Sequence, residues 1–170
     1  MMLRILGAIF LVLGCSGVGF ALSAAYKKEL ATLKTFIESL DMMECELTYR
    51  RTSLPLLCHY IAAKQAGVIR LYFQNLEKEL LRQVQPSAAS CAFLALEKTQ
   101  QLPRSVRELI YQLARSLGEF DIDGQMLGIQ AVKKVASQKL HYMTENQELR
   151  MKNYRTFGIC AGVAIVILFI

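Results

Sequence analysis

From Leu3 to Tyr26 the chain reads LRILGAIFLVLGCSGVGFALSAAY, and between Arg4 and Lys27 it carries no charge. At about 1.5 Å of rise per residue, an apolar helix of this length reaches across the roughly 30 Å hydrocarbon layer of a bilayer. The run predicts a transmembrane helix over residues 3–26. Its glycines, Gly7, Gly14, Gly17 and Gly19, are compatible with a span, where glycine is common. Gly7, Gly14 and Ser16 also leave room for another helix to approach closely.

A processed leader is the rival reading. Val12-Leu13-Gly14-Cys15 resembles a lipoprotein cleavage box with Arg4 as its basic start, and Ser23-Ala24-Ala25 resembles a signal-peptidase site. The apolar run continues well past Cys15, where a mature lipoprotein turns polar, so the anchor is favoured.

The other end reads FGICAGVAIVILFI, Phe157 to Ile170. That is short for a span, but Arg150, Lys152 and Arg155 precede it, and their long stems can snorkel toward headgroups. A second transmembrane helix is predicted over 151–170, ending at the far surface. Orientation follows from the basic residues. Lys27, Lys28 and Lys34 follow the first span, and the three cations just named precede the second, while Arg4 alone lies on the other side. The positive-inside rule puts residues 27–150 in the cytoplasm and both termini outside. Of the five cysteines, Cys15 and Cys160 fall in the spans, while Cys45, Cys58 and Cys91 read as single thiols buried on helices. The count is odd and there is no C-x-x-C pair, which argues against a disulfide framework or a zinc site.

Between the spans the apolar period is helical throughout. Leu30, Leu33, Ile37, Leu40 and Leu47 mark one face of a long helix that continues from the first span and stops near Arg51-Thr52-Ser53. Ser53-Leu54-Pro55 opens a second helix, with a capping hydroxyl and a proline in the first turn, that ends around Gly67. A third runs from about Val68 to Val84, with Ile69, Tyr72, Phe73, Leu76, Leu80 and Leu81 facing inward. Pro86-Ser87 opens a fourth, which ends near Lys98. Leu102-Pro103-Arg104-Ser105 opens a fifth, with Val106, Leu109, Ile110, Leu113 and Leu117 as its stripe. A sixth starts near Asp123 and continues into the second span as one rod, with Leu127, Val132, Val135, Leu140, Met143 and Leu149 on its buried side. The predicted fold is all-α: an antiparallel bundle of about six helices over 27–150, flanked by the two transmembrane helices.

The chain offers little chemistry. In SLGEFDIDGQMLGIQ, Ser116 to Gln130, a calcium loop would need a bidentate glutamate where Gln130 stands and an aspartate where Glu119 stands. A helix corner fits better, with Gly118 as terminator and Asp121 or Asp123 as cap. His59 and His141 each stand alone on an amphipathic helix. There is no phosphate-binding glycine loop and no nucleophile elbow. Tyr49, Tyr60, Tyr72, Phe73 and Phe93 fall at helical spacings and read as core. The net charge of +6 comes in large part from the two membrane-flanking collars, which weakens a nucleic-acid reading. No enzyme, cofactor or metal is expected.

Tyr49 with Thr52-x-Leu54-Pro55-Leu56, followed by Leu117-Gly118-x-x-Asp121-x-x-Gly124-Gln125, resembles the stage III sporulation protein AB family of endospore-forming bacteria. So does the layout of a span, a helical middle and a second span. The Thr-Pro-Leu usual after the tyrosine is stretched here to Thr52-Ser53-Leu54-Pro55-Leu56. In its helical domain the family is similar to the inner-membrane platform protein of type II secretion and type IV pilus machines. The resemblance implies a non-enzymatic scaffold of the channel apparatus in the mother-cell membrane around the forespore. It also implies a secretion-type ATPase partner, the stage III sporulation protein AA, and other stage III membrane proteins. Self-association is left open. The alternative class is a lipid- or ligand-responsive membrane regulator whose basic collar reads anionic headgroups.

Mass spectrometry of the purified chain should find an intact N-terminal helix, and Cys15→Ser should leave membrane attachment unchanged. A mature terminus at an acylated Cys15 would establish the lipoprotein reading instead.

Overall fold

The computed structural model describes residues 2–50, 52–82, 84–85, 87–117 and 122–169, with the side chains of 2–13, of 15–16 and of much of 155–169 outside that description. Among the described residues there are seven α-helices and no strand: α1 (Met2–Tyr49), α2 (Leu54–Lys64), α3 (Gly67–Arg82), α4 (Ala88–Lys98), α5 (Arg104–Ser116), α6 (Ile122–Glu145) and α7 (Gln147–Phe169). The all-α class is as expected. The chain divides into two compact units, one of Ala31–His141 and one of Met1–Leu30 with Tyr142–Ile170.

Within the Ala31–His141 unit, α2 packs on α3, α3 on α4 and α4 on α5. Short connections make neighbours of consecutive helices. Gly67 opens α3 at φ +62°, a conformation only glycine adopts without strain, which lets the chain reverse after Lys64 in two residues. Ser87 caps α4 as expected, its hydroxyl accepting from Ser90 N at 3.2 Å. Ser53 stands at the start of α2 but makes no side-chain cap bond. Pro55 accounts for this: at the second helical position it removes one of the two N–H groups that a capping hydroxyl can accept from.

The long helix carries its buried stripe on Leu33, Phe36, Leu40, Met43 and Leu47, at alternating spacings of three and four. That is a heptad seam rather than the face expected from Leu30 and Ile37, both of which are half-buried. A period of 3.5 keeps one line of side chains aimed at a neighbour over several turns. On α6 the buried line is Ile129, Val132 and Ala136. Asp41 meets Lys133 and Glu44 meets Gln130, so rising numbers on α1 face falling numbers on α6 and the two helices run antiparallel here.

Two other faces also differ from expectation. On α3, Glu79 is buried and Leu81 is 64% exposed. The phase Ile69, Tyr72, Phe73, Leu76 passes through position 79, and Glu79 is tolerated there because Lys98 of α4 reaches it at 2.7 Å and Arg82 at 3.1 Å. On α6, Leu127 and Val135 are exposed, because the seam follows Ile129 and Val132. The α5 stripe is buried as expected, with Val106, Ile110 and Leu113 fully covered and Leu109 and Leu117 nearly so. Burying each such side chain favours folding by about 1.5–3 kcal/mol. Of the thiols, Cys58 and Cys91 are buried, but Cys45 is exposed and so is not the core residue expected. Tyr72 and Phe73 are core, whereas Tyr49 and Tyr60 are exposed.

In the other unit, the Tyr26 hydroxyl donates to Met143 O at 2.9 Å, joining α1 to the end of α6. The single rod expected from α6 onward is interrupted at Asn146. Its side-chain amide donates to Tyr142 O at 2.8 Å, in competition with its own backbone N–H for that carbonyl. Leu149 is exposed beyond the break. Among the described residues no helix is long and apolar enough to cross a membrane. More than half of the side chains of residues 3–26 and 151–170, on which both spans were expected, lie outside the description.

Gly128 marks a close approach within the Ala31–His141 unit that a side chain would spoil. A methyl there would overlap Ser116 Cβ at the end of α5. Gly128→Ala should destabilise the full chain by about 1–3 kcal/mol in denaturant titration, and adding Ser116→Gly should recover most of the loss.

Candidate functional site

Tyr49, Pro55, Leu117, Gly124 and Gln125, singled out by sequence, are described in the Ala31–His141 unit. Tyr49 ends α1 and is 82% exposed. One turn earlier, Glu46 accepts from the Thr52 hydroxyl at 3.0 Å and pairs with Arg50 at 3.5 Å, which holds the corner in front of α2. Pro55 is half-buried in the first turn of α2. Thr52 and Pro55 therefore shape the corner, and Tyr49 is the group that the corner presents.

At the second corner, Leu117 is buried and its N–H bonds Ala114 O at 3.3 Å. Gly118 and Asp121 lie outside the described residues, as do Glu119 and Phe120. Asp123 sits inside the first turn of α6, where its charge suits the positive helix end. Gly124 and Gln125 are half-buried, and both are engaged with neighbours.

The basic collar belongs to the other unit. Lys27, Lys28 and Lys152 are exposed, and the Arg155 side chain is outside the description. Arg150 is not a simple surface cation. Its guanidinium lies 5.9 Å from the Tyr26 ring centre and 5.7 Å from that of Tyr142, and it donates to the Tyr142 hydroxyl at 3.3 Å.

Three groupings were missed by sequence reasoning. Lys133 lies 2.6 Å from Asp41 and 2.9 Å from Glu44, and Gln130 donates to Glu44 at 2.8 Å. Glu79 joins α3 to α4 through Lys98. His59 Nδ1 lies 3.0 Å from Glu77 across α2 and α3, beside a cleft. Each needs partners from helices distant in sequence, and charge spacing along one helix gives no sign of them. Among the described residues no group of three or more His, Cys, Asp or Glu could hold a metal. Burial pushes the Cys58 and Cys91 thiols above the ordinary thiol range, which disfavours the thiolate.

The family described as Stage III sporulation protein AB matches this chain over residues 4–170. The chain belongs to that family. A relative named Stage III sporulation protein AB, from Bacillus subtilis (strain 168), is 24% identical over 170 residues, covering 98% of this chain and 99% of its own length. A solved structure of a Stage III sporulation protein AB superposes with a TM-score of 0.65 at 20% identity, over 72% of this chain and 98% of that one. The structural likeness shows the helical fold common to the family.

The Lys133 network has a pH signature. Hydrogen bonds from Lys133 and Gln130 hold Glu44 below its ordinary value of 4.5, and Asp41 and Glu44 hold Lys133 above its ordinary value of 10.5. A depressed carboxylate contributes stability above 4.5 that is lost as pH falls through its folded value. A raised ammonium contributes below 10.5 and loses its contribution as pH rises through its folded value. The groups are partly exposed, so the network is worth on the order of 1 kcal/mol or less. Lys133→Met should lower the melting temperature modestly between those limits and flatten the acid limb of the melting profile.

Proposed function

We propose that this chain is a non-enzymatic, membrane-anchored platform of the sporulation apparatus that couples a cytosolic secretion-type ATPase to the channel between mother cell and forespore. The observation that carries the reading is the family match over residues 4–170. The layout supports it: a helical unit lies in sequence between two apolar ends flanked by Lys27, Lys28, Arg150, Lys152 and Arg155. The anchors rest on the apolar runs at 3–26 and 151–170, and the basic collars favour a cytoplasmic position for 27–150 in the mother-cell membrane.

Helices joined by ion pairs suit a part that transmits position rather than one that turns over substrate. The motor expected is the stage III sporulation protein AA, with other stage III membrane proteins around it. Tyr49, exposed at a braced corner, is the aromatic group best placed to contact such a partner.

Full-length chain in detergent, mixed with the purified motor, should co-elute with it, and the complex should survive removal of anionic lipid. Failure to co-elute would end the platform reading. A complex that forms only with anionic lipid would favour the lipid-responsive regulator. In intact cells an engineered cysteine at Gln100 should resist an impermeant maleimide; strong labelling would reverse the orientation.

A further inference from the structure

α6 ends at Glu145 and α7 starts at Gln147, yet the sequence through this point calls for no break. Tyr142 to Met151 reads YMTENQELRM, with no proline and no glycine. Its Met, Glu, Gln, Leu and Arg are among the better helix formers. An interruption without proline or glycine needs another cause, and a side chain inserted into the i→i−4 ladder is one of the few available.

The structure supplies that side chain. In an uninterrupted helix the Gln147 N–H would bond the carbonyl of Met143, four residues back. Here Met143 O accepts from the Tyr26 hydroxyl at 2.9 Å. Ladder bonds on either side remain: Asn146 N reaches Tyr142 O at 3.3 Å, and Arg150 N reaches Asn146 O at 3.0 Å. The ladder therefore opens where the Tyr26 hydroxyl enters. All these groups belong to the unit of Met1–Leu30 and Tyr142–Ile170.

Tyr26 is held in that position. It is buried on the same face of α1 as Ser23, one turn earlier. The Arg150 guanidinium, from beyond the break, faces the Tyr26 ring at 5.9 Å. It also faces the ring of Tyr142, from before the break, at 5.7 Å and donates to its hydroxyl at 3.3 Å. Arg150 thus ties both helix ends to the residue that separates them. Asn146 explains the break less well. Its side-chain amide shares Tyr142 O with its own N–H, but that backbone bond persists.

We propose that Tyr26 is a latch: its hydroxyl, seated on Met143 O, keeps α6 and α7 as two helices, and its release joins them into one rod. Each form satisfies the same carbonyl, by a hydroxyl in one and by a backbone N–H in the other. The joined form regains its ladder in a sequence that favours helix. Displacing α1 by one turn, about 5.4 Å, is enough to withdraw the hydroxyl. The break is therefore a joint controlled from α1.

The proposal goes beyond the platform reading and does not depend on it. Hydrogen–deuterium exchange on the full chain in detergent tests it. Gln147 stands in the first turn of α7, where N–H groups lack an intrahelical acceptor, so its amide should exchange fast in the parent. Tyr26→Phe removes the hydroxyl and keeps a ring for Arg150. Exchange at Gln147 should then slow by roughly five- to tenfold, because its N–H recovers Met143 O. Asn146→Ala and Tyr142→Phe leave the Tyr26 hydroxyl in place and should keep Gln147 fast. Unchanged or faster exchange in Tyr26→Phe would overturn the proposal, and so would an equal slowing in Asn146→Ala. If Tyr26→Phe does not fold, Tyr26→Met, which also lacks the hydroxyl, carries the same test. Failure of the parent chain to co-elute with the motor would end the platform reading and leave the latch standing.

Discussion

The Ala31–His141 unit depends on the antiparallel contact of α1 with α6. Of the helices between them, α2 packs on α3, α3 on α4 and α4 on α5. Leu33, Phe36, Leu40, Met43 and Leu47 bury one line of α1, and Ile129, Val132 and Ala136 bury one line of α6. The apolar seam supplies the energy and the polar edge supplies the register. Lys133 between Asp41 and Glu44 adds little stability at its exposure, but a slip of one turn would leave it facing the wrong groups.

Close approach is the second constraint. At Gly128, α6 comes so near the last turn of α5 that no side chain fits. The motif that carries Leu117, Gly118, Asp121, Gly124 and Gln125 runs from the end of α5 into the first turn of α6. Within that motif Leu117 is buried, and in the second turn of α6 Gly128 lies against Ser116. The corner after α1 is built in a different way. There Glu46 holds Arg50 and Thr52, Pro55 starts the next helix, and Tyr49 is left projecting.

Buried charge is handled by pairing. Glu79 sits on the apolar face of α3, where an unpaired carboxylate would be costly, and Lys98 and Arg82 hold it below the ordinary glutamate range. Arg150 uses its planar cation differently, against the rings of Tyr26 and Tyr142.

Much of this was legible in the residues. Helix periodicity with proline and glycine at the boundaries was enough for an all-α chain, for the α5 stripe, and for helix starts at Leu54, Ala88, Arg104 and Ile122 to within a residue or two. Those are local properties, set by backbone sterics and by the spacing of apolar groups along one helix. The motif residues likewise led to the family. Tertiary structure alone decided which face of α1, α3 and α6 is buried: Phe36 over Ile37, Glu79 over Leu81, Ile129 over Leu127. A helix's own pattern allows two adjacent faces when apolar residues lie on both, and the choice falls to the neighbour that offers the better seam or the compensating charge. The break at Asn146 and the cleft between α2 and α3 were hidden for the same reason. Each depends on what stands opposite, which distance along the chain does not encode.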